Sequence, residues 1–322
     1  MGRLGLRTLA GTAALLATLP LPAQEEQQPP VYRVEVKLVR LLATVKDPSG
    51  QLVGSLGRND FTVFDDGVKQ EIGVFERHTE QPLSVSLLVD TSGSTAKDLK
   101  YELDSVSKFL KALFSEGNPE DAVSLYSFDS DVTVHNGFTH RMAALEGNLR
   151  RLKAEGGTAL YDALYLASER LEDREGRHVI VVVTDGGDTV STKNYHQALE
   201  AAQRADTVIY AILVMPITND AGRNIGGENA LATLTASTGG KVFMPSVGAT
   251  LDAAFAEILS DLRTQYLIGY YPRNVPFTKD RFHRVEVKLS RPDLRAITRN
   301  GYYGDREQST GGGRRPARAR DP

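Results

Sequence analysis

The sequence predicts an α/β domain with a doubly wound, mostly parallel sheet, inserted into a discontinuous antiparallel β-sandwich. Two apolar runs, residues 83–89 and 179–183, have the composition of strands that are buried on both faces. Segments with helical spacing separate these runs from further strands, and strands that alternate with helices form parallel sheets. Before residue 82 and after residue 264 the pattern changes to short strands without helices between them.

The predicted α/β domain covers residues 82–264. Strands are expected at residues 83–89, 122–128, 132–138, 179–183, 208–214 and 241–244. Helices are expected at residues 96–114, 142–152, 159–171, 195–205, 229–237 and 251–263. In each predicted helix the apolar residues recur at intervals of three and four, as they do on the buried face of a helix.

The two flanking β segments are expected at residues 31–81 and 265–304. Apolar and charged residues alternate over residues 34–38, and residues 61–64 lead into a hairpin turn at residues 65–67. Further strands are expected at residues 266–271, 282–289 and 296–303. Because three strands alone make a poor core, we expect the two segments to pair in one antiparallel sandwich.

The two ends of the chain have the composition of segments outside the fold. Two arginines precede the apolar residues 9–21, and Ala23 offers a small residue at a cleavage site, so residues 1–23 are predicted to be a secretory signal peptide. A retained membrane anchor is the alternative, although the apolar run is shorter than the roughly 20 residues of a spanning helix. Residues 24–30 are predicted to be a linker and residues 305–322 a disordered tail. The mature protein is therefore expected to be secreted or periplasmic.

Composition excludes several classes of function. The net charge of −3 gives no global basic field for nucleic acid, and the absence of cysteine removes disulfides, thiolate metal sites and cysteine nucleophiles. The six histidines are scattered, and neither a phosphate-binding glycine loop nor a zinc-protease motif is present. We therefore predict that the protein is not an enzyme. Metal-assisted hydrolysis remains an alternative, because an open Mg²⁺ ion can act as a Lewis acid.

Three polar loops carry the residues that predict chemistry. Asp90, Ser92 and Ser94 directly follow the first buried strand, Thr158 precedes a helix, and Asp185 follows the valine-rich strand. The carboxyl ends of parallel strands lie at one edge of a sheet, where α/β proteins bind ligands. Carboxylate and hydroxyl oxygens are hard ligands that suit Mg²⁺, Mn²⁺ or Ca²⁺. Such a site would be incomplete, so one position could accept a carboxylate from outside.

The same residues allow a plainer interpretation. Residues 95–98 could form a capping box, and Ser94 or Thr158 could be an ordinary helix N-cap. Residues 185–188 could form an ordinary turn. Capping is compatible with metal binding, because a backbone N–H group does not compete for every lone pair of a hydroxyl.

The five residues resemble the metal-ion-dependent adhesion site of von Willebrand factor type A domains. That family combines an Asp-x-Ser-x-Ser segment with a later Thr and a later Asp, and the matching positions are Asp90, Ser92, Ser94, Thr158 and Asp185. The resemblance implies a Rossmann-like sheet with an antiparallel edge strand. It also implies that the serines and the threonine bind the metal directly and that the aspartates often bind through water.

The flanking segments are similar to those of a secreted bacterial group of such proteins, first noted in acidobacteria. Residues 61–67, 157–164, 266–272 and 299–303 carry this similarity, which extends over residues 31–303. The group resemblance implies a secreted protein and specifies no partner.

The predicted function is a secreted, metal-dependent module for protein binding or adhesion. The cofactor is expected to be Mg²⁺, or Mn²⁺ or Ca²⁺, and a protein partner is expected to complete its coordination with an Asp or Glu carboxylate. Loops at residues 188–194 and 216–228 are expected to give specificity. The alternative is a scaffold or assembly protein of the cell envelope in which the metal only stabilises the fold.

Overall fold

A computed structural model describes residues 38–77, 80–214, 225–246, 248–276, 278 and 281–304. The predicted signal peptide, linker and tail lie outside these residues, as do most of the alternating residues 34–38. No helix in the described ranges has the length and apolar character needed to cross a bilayer.

The strands and helices are numbered in chain order. The strands are β1 (Val39–Lys46), β2 (Phe61–Asp65), β3 (Val68–Gln70), β4 (Val74–Glu76), β5 (Leu83–Asp90), β6 (Ala122–Phe128), β7 (Val132–Thr139), β8 (Arg177–Thr184), β9 (Thr207–Leu213), β10 (Val242–Phe243), β11 (Tyr266–Tyr270), β12 (Phe282–Leu289), β13 (Arg295–Ile297) and β14 (Gly301–Tyr303). The α-helices are α1 (Leu99–Glu116), α2 (Met142–Leu149), α3 (Leu160–Glu172), α4 (Tyr195–Arg204), α5 (Ile225–Thr238) and α6 (Ala249–Thr264).

The central sheet has six strands in the order β10-β9-β8-β5-β6-β7, all parallel except the edge strand β7. Every residue of β5 and β8 is buried, as their largely apolar sequences predict. Helices α1, α2 and α6 share one apolar core on one face, and α3, α4 and α5 share a second core on the other. The predicted doubly wound α/β fold is therefore confirmed.

Two antiparallel four-stranded sheets complete the fold, in the orders β13-β1-β11-β4 and β14-β12-β2-β3. Strands from before and after the α/β region pair with each other: β1 with β11 and β2 with β12. Side chains of both sheets form one core. The predicted pairing of the two β segments is confirmed, whereas the domain boundaries at residues 82 and 264 stay predictions.

The contacts between these sheets and the α/β region lie at the amino ends of the parallel strands. Arg299 contacts Asp206, which directly precedes β9, and donates to the carbonyl of Arg40 at 2.8 Å. Lys46 lies 3.1 Å from Asp261 near the end of α6. The carboxyl ends of the parallel strands are at the opposite edge.

Two sequence predictions were wrong in detail. The predicted strand at residues 296–303 is two strands, β13 and β14, which belong to different sheets. Between them the chain covers the end of α5, where Asn300 N–H donates to Ser237 at 3.1 Å, so the strand cannot continue straight. The predicted loop at residues 216–228 is shorter, because residues 225–228 form the first turn of α5, and its first residues lie outside the described part.

A candidate metal centre at the carboxyl edge of the sheet

Asp90 ends β5 with its side chain fully buried and held on both carboxylate oxygens. Its Oδ1 accepts a hydrogen bond from the backbone N–H of Ser92 at 2.8 Å. Its Oδ2 accepts one from Thr184 Oγ1, at the end of the neighbouring strand β8, at 2.5 Å. The direction of this carboxylate is therefore fixed by two adjacent parallel strands.

Three oxygens follow Asp90 toward the surface. Ser92 Oγ and Ser94 Oγ lie 3.0 Å apart, and Ser94 Oγ donates to Asp185 Oδ1 at 3.0 Å. Ser92 is buried, Asp185 is partly buried and Ser94 is exposed, so the row of oxygens opens to solvent. Ligands at about 2.1 Å on neighbouring corners of an octahedron are themselves about 3.0 Å apart. The spacing of these oxygens fits a small divalent cation.

Thr158 lies in the adjoining loop, which is docked onto the first one by backbone hydrogen bonds. The N–H of Gly93 donates to the carbonyl of Gly156 at 3.1 Å. Gly156 has φ of 77°, and a Cβ there would lie 2.6 Å from Ser130 Oγ, so this position requires glycine. Thr158 itself is buried, and its N–H donates to Thr189 Oγ1 at 2.8 Å. The structure therefore joins Asp90, Ser92, Ser94 and Asp185 by hydrogen bonds, and Thr158 lies two residues after Gly156, which contacts the first loop.

The capping alternative does not account for the hydroxyl groups. The N-cap of the 3₁₀ turn Gly93–Lys97 is Ser92, that of α1 is Asp98 and that of α3 is Ala159, and none of them makes a side-chain capping bond. Ser94 and Thr158 are not caps at all. Their hydroxyls are therefore not committed to helix ends.

The loop after β8 is held by two aspartates that the metal prediction did not include. Asp188 accepts from the N–H of Tyr161 at 3.2 Å and from Ser191 Oγ. Asp162, in the first turn of α3, accepts from the N–H groups of Thr192 at 2.9 Å and of residue 193 at 2.7 Å. Residues 188–193 are thus tied to the start of α3 rather than forming a free turn.

Burial and neighbouring negative charges both raise the pKa values of the acidic groups at this edge. Burial raises the pKa of Asp90 to about 6, although the hydrogen bonds from Thr184 and Ser92 oppose this shift. Burial also raises the pKa of Asp185, and the bond from Ser94 opposes it. A divalent cation at this edge would favour the ionised form of both carboxylates.

The sequence analysis missed two residues at this edge. Thr184, which orients Asp90, directly precedes Asp185 in the sequence, so its place at a strand end was visible. Glu102, on the first turn of α1, is 1% exposed although it is acidic. Its signal was its position among Leu99 and Val106 on the apolar stripe of that helix.

Residues 85–187 match the family model of the von Willebrand factor type A domain. A stretch of 111 residues is 32% identical to the uncharacterised protein sll0103 of Synechocystis and covers 33% of this chain. That stretch corresponds to 25% of the relative, so the chain spans about a quarter of the length of the curated relative it matches.

Solved bacterial structures are similar to part of this chain at low identity. An aerotolerance-related membrane protein from Bacteroides fragilis is 20% identical, with 56% of this chain and 98% of that chain covered and a TM-score of 0.44. The von Willebrand factor domain of the type V pili tip protein Mfa5 from Porphyromonas gingivalis is 17% identical, with 56% and 95% covered and a TM-score of 0.46. The pilus adhesin SpaC from Lactobacillus rhamnosus GG is 12% identical, with 81% and 47% covered and a TM-score of 0.48.

The order of the six-stranded sheet, its antiparallel edge strand and the family match agree. Residues 85–187 therefore carry the sequence pattern of a von Willebrand factor type A domain on a sheet of the matching kind.

Proposed function

We propose that the chain is a secreted, metal-dependent module that binds a protein partner. Asp90, Ser92, Ser94, Thr158 and Asp185 hold Mg²⁺, or Mn²⁺ or Ca²⁺, and an Asp or Glu of the partner completes the coordination. The bound ion supplies a positive centre for the partner's carboxylate, and these five residues supply the oxygens that hold the ion. In this proposal the von Willebrand factor type A domain occupies residues 82–264 and the signal peptide directs the chain to the periplasm or the exterior.

The observation that carries the proposal is the row of oxygens from Ser92 through Ser94 to Asp185, each 3.0 Å from the next. This spacing suits neighbouring positions of an octahedral ion without large side-chain movement. The row opens at Ser94, on the solvent side, where an external ligand can approach. Von Willebrand factor type A domains often bind a divalent metal at such a site.

Apolar side chains around this edge support a protein partner. The described residues include five large hydrophobic side chains that are strongly exposed, and four of them belong to elements at the carboxyl edge: Tyr101, Val190, Ile225 and Met244. They lie on the first turn of α1, the loop after β8, the start of α5 and the residue after β10. A partner that offers an acidic residue flanked by apolar ones would match both the ion and its surroundings.

The first experiment is a calorimetric titration of Mg²⁺ and of Mn²⁺ into chelator-treated protein from residue 24 onward. We expect saturable binding at one site, lost in Asp185→Ala and retained in Asp104→Asn, which removes an exposed acid from α1. Unfolding in chelator should be similar in all three proteins. If Asp185→Ala loses metal binding and folding stability together, the envelope-scaffold alternative is favoured instead.

A second experiment tests the carboxylate of the partner. Bound Mn²⁺ shortens the relaxation time of water protons, and a ligand that displaces metal-bound water weakens this effect. A capped Leu-Glu-Leu tripeptide is expected to reduce the relaxation, and the matching Leu-Gln-Leu peptide is not. Equal effects of the two peptides would contradict recognition of a carboxylate.

A further inference from the structure

Glu102 is a buried acid that has no hydrogen-bond partner among the described residues. It lies on the first turn of α1, a few residues after the loop of Ser92 and Ser94, and only 1% of its surface is exposed. In the described part of the chain, neither of its carboxylate oxygens accepts or donates a hydrogen bond. Buried carboxyl groups are normally hydrogen-bonded or paired, so this residue requires an explanation.

The charged groups around Glu102 make its position more unfavourable. Asp185, Asp90 and Asp98 are all acids, and together with burial they raise the pKa of Glu102 to about 8. Two of these three are proposed metal ligands. Glu102 is therefore within electrostatic range of the same acidic edge.

Packing alone does not account for a glutamate here. Glu102 shares the buried face of α1 with Leu99 and Val106, where an apolar residue would remove the cost of burying a polar group. Protonation does not resolve the problem either, because a neutral carboxyl group still needs a donor and an acceptor, and neither contacts it. What would stabilise three neighbouring carboxylates is a positive charge between them.

We infer that Glu102 is a further member of the metal site, a positioning residue that holds the hydrated cation from its buried side. This inference rests on the proposed function. Its ionised carboxylate accepts hydrogen bonds from water molecules on the ion and adds a third negative charge to those of Asp90 and Asp185. The ion in turn supplies the partner that the buried oxygens lack.

The test compares the dissociation constants of Mg²⁺ and Mn²⁺ for the wild type, Glu102→Gln and Asp104→Asn at one pH. Asp104 is an exposed acid on the same helix, so the two variants remove one charge each. We expect Glu102→Gln to weaken metal binding at least about tenfold, as outer-shell changes do, and Asp104→Asn to change it less than about twofold. Glu102→Leu, which matches its apolar neighbours, is the second variant if the amide destabilises the fold.

Thermal unfolding separates a role in metal binding from a role in packing. In chelator, Glu102→Gln is expected to unfold at a higher temperature than the wild type, and saturating Mg²⁺ should reduce or reverse this difference. If Glu102 only packs, its substitution should change the unfolding temperature by the same amount in chelator and in Mg²⁺. That result would overturn the inference. Unchanged metal affinity in Glu102→Gln, beside loss of binding in Asp185→Ala, would overturn it and leave the proposed function intact. An absence of metal binding in the wild type would overturn both.

Discussion

Two buried acids, Asp65 in the β-sheets and Glu102 in the α/β domain, are treated differently by the fold. Asp65 is fully buried, and its Oδ2 accepts from the hydroxyls of Tyr270 and Tyr302, each at 2.9 Å. Its Oδ1 lies 3.9 Å from His283 and makes no hydrogen bond among the described residues. Glu102 is as deeply buried and has no hydrogen-bond partner among the described residues.

The difference separates an acid that its own chain holds through one carboxylate oxygen from an acid that the described residues do not hold at all. Asp65 is on β2, while both phenols and the histidine come from strands more than two hundred residues later. Its hydrogen bonds therefore join the two β segments that the α/β domain separates. Among the acids at the carboxyl edge, Glu102 is left without a hydrogen bond by the described residues, which is what a group that takes a ligand requires.

The largest effect is expected from Asp65→Ala. Removal of this carboxylate leaves the buried phenol of Tyr270 and the half-buried phenol of Tyr302 without an acceptor, so the free energy of unfolding should fall by about 3–4 kcal/mol. Urea unfolding measures this loss. The affinity for Mg²⁺ of the folded protein should not change, because the β-sheets contact the α/β domain at the edge opposite the proposed site. A matching loss of metal affinity would show that the two regions are not separable.

The next effect is the pH dependence of the metal-free protein. Because the pKa of Glu102 is raised to about 8 from its usual 4.5, the folded state binds this proton more tightly than the unfolded state. The free energy of unfolding should therefore fall as pH rises through this interval. Asp185, Asp90 and Asp98 face the same group and remain in the Glu102→Gln variant.

Urea unfolding in chelator at about pH 5 and about pH 7.5 isolates this contribution. The wild type should lose roughly 2–3 kcal/mol more than Glu102→Gln over this range. Parallel curves for the two proteins would show that Glu102 does not titrate in the folded state. Saturating Mg²⁺ should flatten the wild-type curve, since the cation stabilises the ionised carboxylates.

The same comparison shows how far the sequence could predict this protein. Largely apolar runs identified β5 and β8, and a hydrophobic period identified most helices, because both signals are local. The division between β13 and β14 depends on contact with the distant end of α5, so no local pattern revealed it. Neither did a local pattern reveal β4, three residues that pair with β11.

The candidate site was predictable where its residues follow buried strands directly, as Asp90 and Asp185 do. Glu102 was overlooked because a single glutamate on a helix is usually solvated, and only the packing of α1 shows that it is buried. Asp65 was identified only as part of a turn, since its phenol partners come from the far end of the chain. Hydrogen bonds between residues so far apart in the sequence depend on the tertiary fold, and local sequence patterns do not reveal them.

A smaller effect is expected from Thr184→Val, which removes the hydroxyl that holds Asp90 Oδ2 at 2.5 Å. Without this bond the carboxylate is less well oriented, and metal affinity should fall about tenfold, or about 1.4 kcal/mol. Calorimetric titration with Mn²⁺ measures this loss of affinity. Thr207→Val, which alters a buried threonine at the amino edge, is the control and should leave the affinity unchanged. An equal loss in both variants would indicate general destabilisation.

The smallest effect is expected from Tyr302→Phe, which removes one of the two hydrogen bonds to Asp65. Tyr270 still donates to the same oxygen, so the free energy of unfolding should fall by only about 1 kcal/mol. Tyr101→Phe, at an exposed tyrosine of α1, is the control, and urea unfolding measures both. A loss as large as that of Asp65→Ala would mean that the two phenols act as one unit. A loss below about 0.3 kcal/mol would mean that Tyr270 alone satisfies the carboxylate, and that the pairing of β14 depends on its backbone bonds and ring contacts.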